Sequence, residues 1–300
     1  MLFRSGHEAW ATDLRAPEGA ASAPSDGQII LGRLDVRRRA DISAWFRRVA
    51  PELVVHLAAE TDVDLCQARP SHAHKTNARG TRLVAQACQE ANTPLAYVST
   101  AGVFDGEKDD AYVEEDAPNP IAVYGLSKLE GEHHVRALAR RHYIVRSGWM
   151  VGGGDKDHKF VAKILHQIRE GATTIYAVGD RLGTPTYALD FARCFTRLIA
   201  TEGYGLYHMA GRGRGTRYEV ARVILEVLGL ARSVKLVEVD SAFFRESFPA
   251  PRPRSEWLRN LMLQRRGLDT MRPWEEALED YLLTSFGDLR EGRRGAPPSS

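Results

Sequence analysis

Cysteine is scarce in this chain. The 300 residues hold three, Cys66, Cys88 and Cys194, far apart and without a C-x-x-C pair. Neither a zinc site nor a disulfide framework is therefore expected. Cys88 and Cys194 fall in helical apolar patterns and read as small buried hydrophobes, and reduced thiols fit a cytoplasmic compartment. No apolar run approaches the ~18 residues of a transmembrane helix, and the first residues lack a basic-then-apolar signal pattern. An excess of one charge sign is also missing. Lys and Arg total 41 against 39 Asp and Glu, a net charge of +2, which argues against nucleic acid and against an acidic membrane surface as partners. Arg37-Arg38-Arg39 is the one tight basic run and reads as a solvated turn. Internal repeats are lacking too.

What is present is an alternation of two periodicities. Leu53-Val-Val-His-Leu-Ala-Ala59 is a continuous apolar run, as expected of a strand buried on both faces. Asn77 to Glu90 has helical spacing, Pro94 to Ser99 is a short strand, Tyr124 to Arg140 is helical and Tyr143 to Arg146 is a further strand. Glu8 to Asp13 and Ile29 to Leu34 are earlier strand candidates, separated by a loop over Arg15 to Gln28, and Ile42 to Val49 is a short helix. Strands alternating with helices at this spacing imply right-handed βαβ units and a parallel sheet. The fold class is α/β, doubly wound and Rossmann-like, with a smaller C-terminal α/β lobe. Residues 1–148 are expected to form the nucleotide-binding domain. Residues 149–285 form mainly a substrate lobe, with about 184–209 returning to the first domain, and 286–300 form a disordered tail. Past Val151-Gly-Gly-Gly154, helices are expected over Phe160 to Glu170, Thr216 to Leu228 and Trp274 to Leu282, with an extended segment at Pro249 to Pro253.

Tyr124 and Lys128 stand four apart near a helix start, which places both side chains on one face. A ketone reductase needs such a pair, because the alkoxide that forms as hydride arrives must receive a proton. Tyrosine, with a pKa near ~10, suits the task if the pKa is brought toward neutral. A drop of ~3 units corresponds to ~4 kcal/mol. One ammonium at ~4 Å, with an effective dielectric of ~20, supplies about that much. Ser99 and Thr100 end the preceding strand, where α/β folds place ligand-facing residues, and a hydroxyl there can polarise a substrate carbonyl.

Three segments, Ser99-Thr-Ala-Gly-Val-Phe-Asp-Gly106, Glu114-Glu-Asp-Ala-Pro-Asn-Pro120 and Tyr124-Gly-Leu-Ser-Lys-Leu-Glu-Gly-Glu132, together resemble the extended short-chain dehydrogenase/reductases. Within them the chain is most similar to the dTDP-4-dehydrorhamnose reductase family. Leu57 to Asp64, Asn77-Ala-Arg-Gly-Thr81, Gly183-Thr-Pro-Thr-Tyr187 and Arg272-Pro-Trp-Glu-Glu-Ala-Leu278 add to the resemblance, which runs from about Gly6 to Leu282. It implies an NADP- or NAD-dependent reductase of a 4-keto-6-deoxy sugar nucleotide. Thr100 would polarise the carbonyl and Tyr124 would donate the proton. Lys128 would hold the nicotinamide ribose and lower the tyrosine pKa, and Trp149 would lie near the sugar. The alternative is a non-catalytic relative, similar to the regulatory subunits of methionine adenosyltransferase. The expected partner is a nucleotide-activated sugar, with a homodimer as the protein partner considered.

Two departures qualify the resemblance. The family's Asp-Tyr pair after the catalytic threonine is Ala101-Gly102 here, so a side chain expected at the sugar is missing. No glycine-rich turn precedes the first strand candidate either, although such a turn normally opens the helix that holds the cofactor pyrophosphate. Met1 to Glu8 resembles the end of that helix. The missing strand would be central in the 3-2-1-4-5-6 order. The expectation is that Met1 is not the natural start and that roughly 20–25 residues of a strand–turn–helix unit precede it.

Other cofactor contacts follow from position. Asp13 ends the second strand, where an acid can bond a ribose 2′-hydroxyl, while nearby Arg15 would suit a 2′-phosphate, so NAD and NADP both stay open. By resemblance, Asp35 matches the adenine side, and Ala58 and Ala59 match the strand end beneath the cofactor. Ser99 is grouped with these, as are Tyr124 and Lys128. Arg181, Arg252 and Arg254 are candidate diphosphate contacts, since guanidinium forks suit phosphate oxygens. His56 reads as a packed core histidine, His133 and His134 as surface residues. Asp155-Lys-Asp-His158 lacks a third ligand at metal spacing, so no metal is expected.

Overall fold

A computed structural model describes residues 9–15, 30–154, 157 and 159–290. Met1 to Glu8, most of the expected loop before Gln28, Asp155 and His158, and the chain from 291 onward lie outside the described residues. No described helix is long and apolar enough to cross a membrane.

The expected parallel sheet forms in two pieces. Leu95–Thr100 lies between Val54–His56 and His142–Ser147, and Gly205–His208 pairs on the far side of His142–Ser147, every pair parallel. Trp10–Asp13 and Ile30–Arg33 pair in parallel with each other as a separate sheet. Among the described residues no strand bridges the two pieces. Helix packing joins them instead. Trp45, on the helix Arg39–Val49, donates its indole N–H to Arg33 O at 2.8 Å and meets the Trp10 ring edge-on at 6.1 Å. Ile42 of that helix packs with Val84, Cys88 and Leu95 of the larger piece. The run Leu53 to Ala59, expected to be covered on both faces, is a strand only over Val54–His56, and Leu57 is 64% exposed. Val54 packs toward one face and Leu53 and Val55 toward the other, while no described strand pairs with its outer edge.

Elsewhere the sheet is doubly wound. Residues with period two point to opposite faces. Leu95 and Tyr97 pack with Val84, Cys88 and Val135 on one face, whereas Ala96 packs with Phe191, Cys194 and Leu263 on the other. All three cysteines are free and buried. His56 stacks on Tyr97 and meets Thr81 Oγ1 at 3.0 Å, as a core histidine should, and burial brings its pKa down to about 3.

The helix expected at Asn77 begins earlier, at Pro70, and widens to a π-helical stretch over His74–Gly80 before Thr81–Glu90. Asn77 explains the widening: its amide takes Glu60 N–H at 2.8 Å and donates to Glu60 O and to Ser127 Oγ, both at 3.0 Å. One side chain thereby ties the loop after Val54–His56 to the helix that carries Tyr124.

The C-terminal part has its own core. Helices Phe160–Arg169, Arg217–Val227 and Trp274–Phe286 pack on the parallel pair Thr174–Val178 and Lys235–Val239. Thr216 and Glu219 close a capping box at the start of the second helix. Of the residues 286–300 expected as a tail, Phe286 ends the closing helix and Leu289 is buried beyond it, and 291–300 lie outside the described residues. A three-stranded sheet of Gly215–Thr216, Leu182–Gly183 and Ser255–Glu256 lies between this core and the main sheet.

Candidate active site

Strand Leu95–Thr100 ends on Thr100, whose hydroxyl accepts Gly102 N–H at 3.1 Å and turns the chain into the short 3-10 stretch Ala101–Val103. Helix Val123–Leu138 starts against that turn. Gly125 permits the approach: a Cβ there would fall 2.0 Å from Gly102 O. Tyr124 is thereby set beside Thr100, whose hydroxyl favours the ionised phenol. Burial works harder in the other direction, and with the charges of Glu256 and Cys66 the phenol stands at about 12.

Lys128 is one turn along and almost wholly buried. Its ammonium donates to Val98 O at 2.8 Å and stands 4.1 Å from the centre of the Tyr97 ring. Burial brings it down to about 7, against the pull of Glu132. Lys128 is not among the groups that shift Tyr124. A backbone carbonyl and an aromatic ring hold the ammonium that was expected to tune the phenol.

Ser99 points away from Thr100. Its hydroxyl donates to Glu132 at 2.6 Å, and Glu132 is paired with Arg146 through bonds of 2.9 and 2.7 Å, both side chains buried. Ser99 thus belongs to a buried ion-pair network under the site, not to the cofactor face where it was expected.

Trp149 anchors a second cluster. Its indole N–H donates to Glu256 Oε2 at 2.7 Å, and the Arg217 guanidinium lies 3.7 Å over its ring and 4.8 Å from that of Phe160. Gly183 lets the backbone lie flat on the indole, since a Cβ would come within 2.1 Å of it. Trp149 is therefore packed on one side and part of a polar cluster on the other. Burial raises Glu256 from the ordinary carboxylate range, while the Trp149 N–H, Arg217 and Arg252 favour its charge. Burial likewise lowers Arg217, to about 10. Neither residue was singled out in the sequence. A carboxylate in a two-residue strand has no periodic signature, and its partner Trp149 is 107 positions away.

Each of the three arginines expected at a diphosphate is paired with an acid. Arg252 is bonded to Asp64 at 2.5 and 3.2 Å, Arg254 to Asp109 at 2.8 Å and Arg181 to Asp180 at 2.9 Å. Arg181 keeps a buried Nε without a hydrogen-bond partner among the described residues. Arg254 instead borders a cavity of about 340 Å³ with Lys108, Asp109, Asp180, Arg214 and Ser255. Ser255 opens on that cavity while its neighbour Glu256 faces Trp149, as strand alternation requires.

The residues expected around a nicotinamide dinucleotide fit it in part. Ala58 and Asp13 are exposed at strand ends, Ala59 is half-buried, and Lys128 supplies a buried ammonium. Asp13 accepts Arg15 N–H at 2.7 Å, and Asp35 is clasped by Arg37, which holds its carboxyl below the usual range. No glycine-rich strand–helix turn that would take the pyrophosphate lies among the described residues.

Comparison with known proteins identifies a family for the chain. Residues 5–285 match the RmlD substrate binding domain family. A dTDP-4-dehydrorhamnose reductase of Mycolicibacterium smegmatis is 32% identical over 250 residues, 82% of this chain and 75% of that protein. One from Sinorhizobium fredii is 32% identical over 269 residues, 86% and 89% of the two chains. Among solved structures, the dTDP-4-dehydrorhamnose reductase of Bacillus anthracis in complex with NADP superposes with a TM-score of 0.81 at 31% identity, covering 88% of this chain and 92% of that one.

Proposed function

The chain belongs to the RmlD substrate binding domain family, within the extended short-chain dehydrogenase/reductases. On that premise we propose that it reduces the 4-keto group of a nucleotide-activated 6-deoxy sugar. It is an NAD(P)H-dependent sugar-nucleotide reductase, and the dTDP-linked substrate is carried over from its relatives. The observation that carries the reading is the placement of Thr100 and Tyr124. Two hydroxyls from different elements are pressed together by the Gly125 approach, at the strand end where this fold receives ligands.

The reduced nicotinamide, when bound, supplies the hydride. The chain's own residues do the rest. Thr100 donates to the carbonyl oxygen and polarises it. Tyr124 gives its proton to the oxygen as it becomes an alkoxide and is left as a phenolate. An alkoxide is the stronger base, so the transfer runs downhill even from a phenol near 12. Lys128 would hold the nicotinamide ribose, and Ala58, Ala59, Asp13 and Asp35 would line the rest of the cofactor face. Trp149 would offer its indole to the sugar.

Turnover tests the reading. The chain, and the same chain extended through any in-frame sequence upstream, are given NADPH or NADH with dTDP- and UDP-4-keto-6-deoxy sugars. Loss of absorbance at the reduced nicotinamide band is expected. Cofactor binding without turnover on any of these sugars would instead support the non-catalytic reading.

A further inference from the structure

Glu256 is an acidic side chain at the site that the mechanism does not use, and its geometry is specific. Oε2 is fixed by the Trp149 indole N–H at 2.7 Å, while Oε1 has no hydrogen-bond partner among the described residues. Arg217 lies over the same indole without an ion pair to Glu256, so the carboxylate is oriented and not neutralised by contact. The free oxygen lies beside the turn that follows Thr100. The position where a side chain would leave Gly102 is 3.5 Å from Thr100 Oγ1 and 3.6 Å from Glu256 Oε1. Both oxygens thus border one small space, and Ala101-Gly102 leaves that space without a side chain. A carbonyl held by Thr100 and Tyr124 would set its neighbouring ring carbon beside this space. A carboxylate oxygen can only accept, so it selects a donor.

We propose that Glu256 is a specificity-determining residue, accepting a hydrogen bond from the hydroxyl on the sugar carbon adjacent to the carbonyl being reduced. The preferred substrates are then keto-sugar nucleotides that keep this hydroxyl, and the analogues deoxygenated there are poor ones. This inference rests on the reductase reading and narrows it to a substrate class.

The test compares kcat and KM on two substrates, dTDP-4-keto-6-deoxyglucose and its 3-deoxy counterpart, for the wild type, Glu256→Gln and Glu256→Ala. Hydrogen bonds to charged groups imply a wild-type preference of about 10–100-fold in kcat/KM for the 3-hydroxyl substrate. In Glu256→Ala the two substrates should converge to within about threefold, through loss on the hydroxyl substrate alone. Glu256→Gln keeps the shape and the bond to Trp149 but turns an amide N–H toward the sugar, so its preference should also shrink. A merely structural role would slow both substrates together and leave the ratio unchanged. A wild type that turns over both substrates equally, or variants that keep the ratio, overturn the inference and leave the reductase standing. Turnover of neither substrate by the wild type overturns both.

Discussion

Tyr124 is the proposed proton donor, and its surroundings decide over what pH range it can act. Burial raises the phenol most, Thr100 opposes, and the charges of Glu256 and Cys66 add to the rise. An acid catalyst works while protonated, so activity is present below its pKa and is lost as pH rises through it. Replacing Glu256 by Gln removes one charge that disfavours the phenolate, and the Tyr124 pKa should fall. The alkaline limb of the kcat profile should therefore move to lower pH in Glu256→Gln, read on a substrate that both forms reduce. An unmoved limb, or one displaced to higher pH, would show that Glu256 exerts no charge on the phenol. Lys128 has the opposite history. The sequence placed it on the right face, but no spacing rule could show that Val98 O and the Tyr97 ring would hold its ammonium.

Among the elements, the contact between helix Val123–Leu138 and the turn Ala101–Val103 sets the site. Gly125→Ala would gain roughly 1 kcal/mol of helix propensity in isolation. Here the new methyl group would fall 2.0 Å from a backbone oxygen, which cannot swing aside as a side-chain tip could. Overpacking of that kind costs about 1–3 kcal/mol or more, so the clash outweighs the gain. A lower urea midpoint and a fall in kcat of at least about tenfold are expected, since displacement of a reacting group by about 1 Å is costly. Unchanged values in both measurements would contradict the close approach. The same elements show what a sequence can reveal. Val123–Leu138, Phe160–Arg169 and Arg217–Val227 were visible because a 3.6-residue apolar period survives in each. Leu182–Gly183 and Ser255–Glu256 were not, because a two-residue strand exists only through its distant partners. The unexpected π stretch at His74–Gly80 depends on Asn77 reaching Glu60 and Ser127, again a tertiary cause.

At the scale of the molecule, the doubly wound class and the site's location at a strand end were legible, since alternating periodicities dictate both. Among the described residues the parallel strands form two separate pairings, joined by helix packing. Unforeseen was the way the C-terminal part reaches back. Arg252 grips Asp64, while Glu256 approaches Thr100 and Gly102 from a strand more than a hundred residues later. The hydroxyls proposed to react thus come from the sheet half, and the group proposed to select the sugar comes from the other. The central claim is that these parts together deliver hydride and proton to a sugar carbonyl. It is tested most directly with reduced nicotinamide deuterated at the transferring position and dTDP-4-keto-6-deoxyglucose, with Tyr124→Phe alongside. The account predicts a single deuterium at C4 of the sugar product. It also predicts a rate about 10²–10⁴-fold lower in Tyr124→Phe at unchanged cofactor affinity. Absence of deuterium in the sugar despite bound cofactor, or an undiminished rate in Tyr124→Phe, would contradict it.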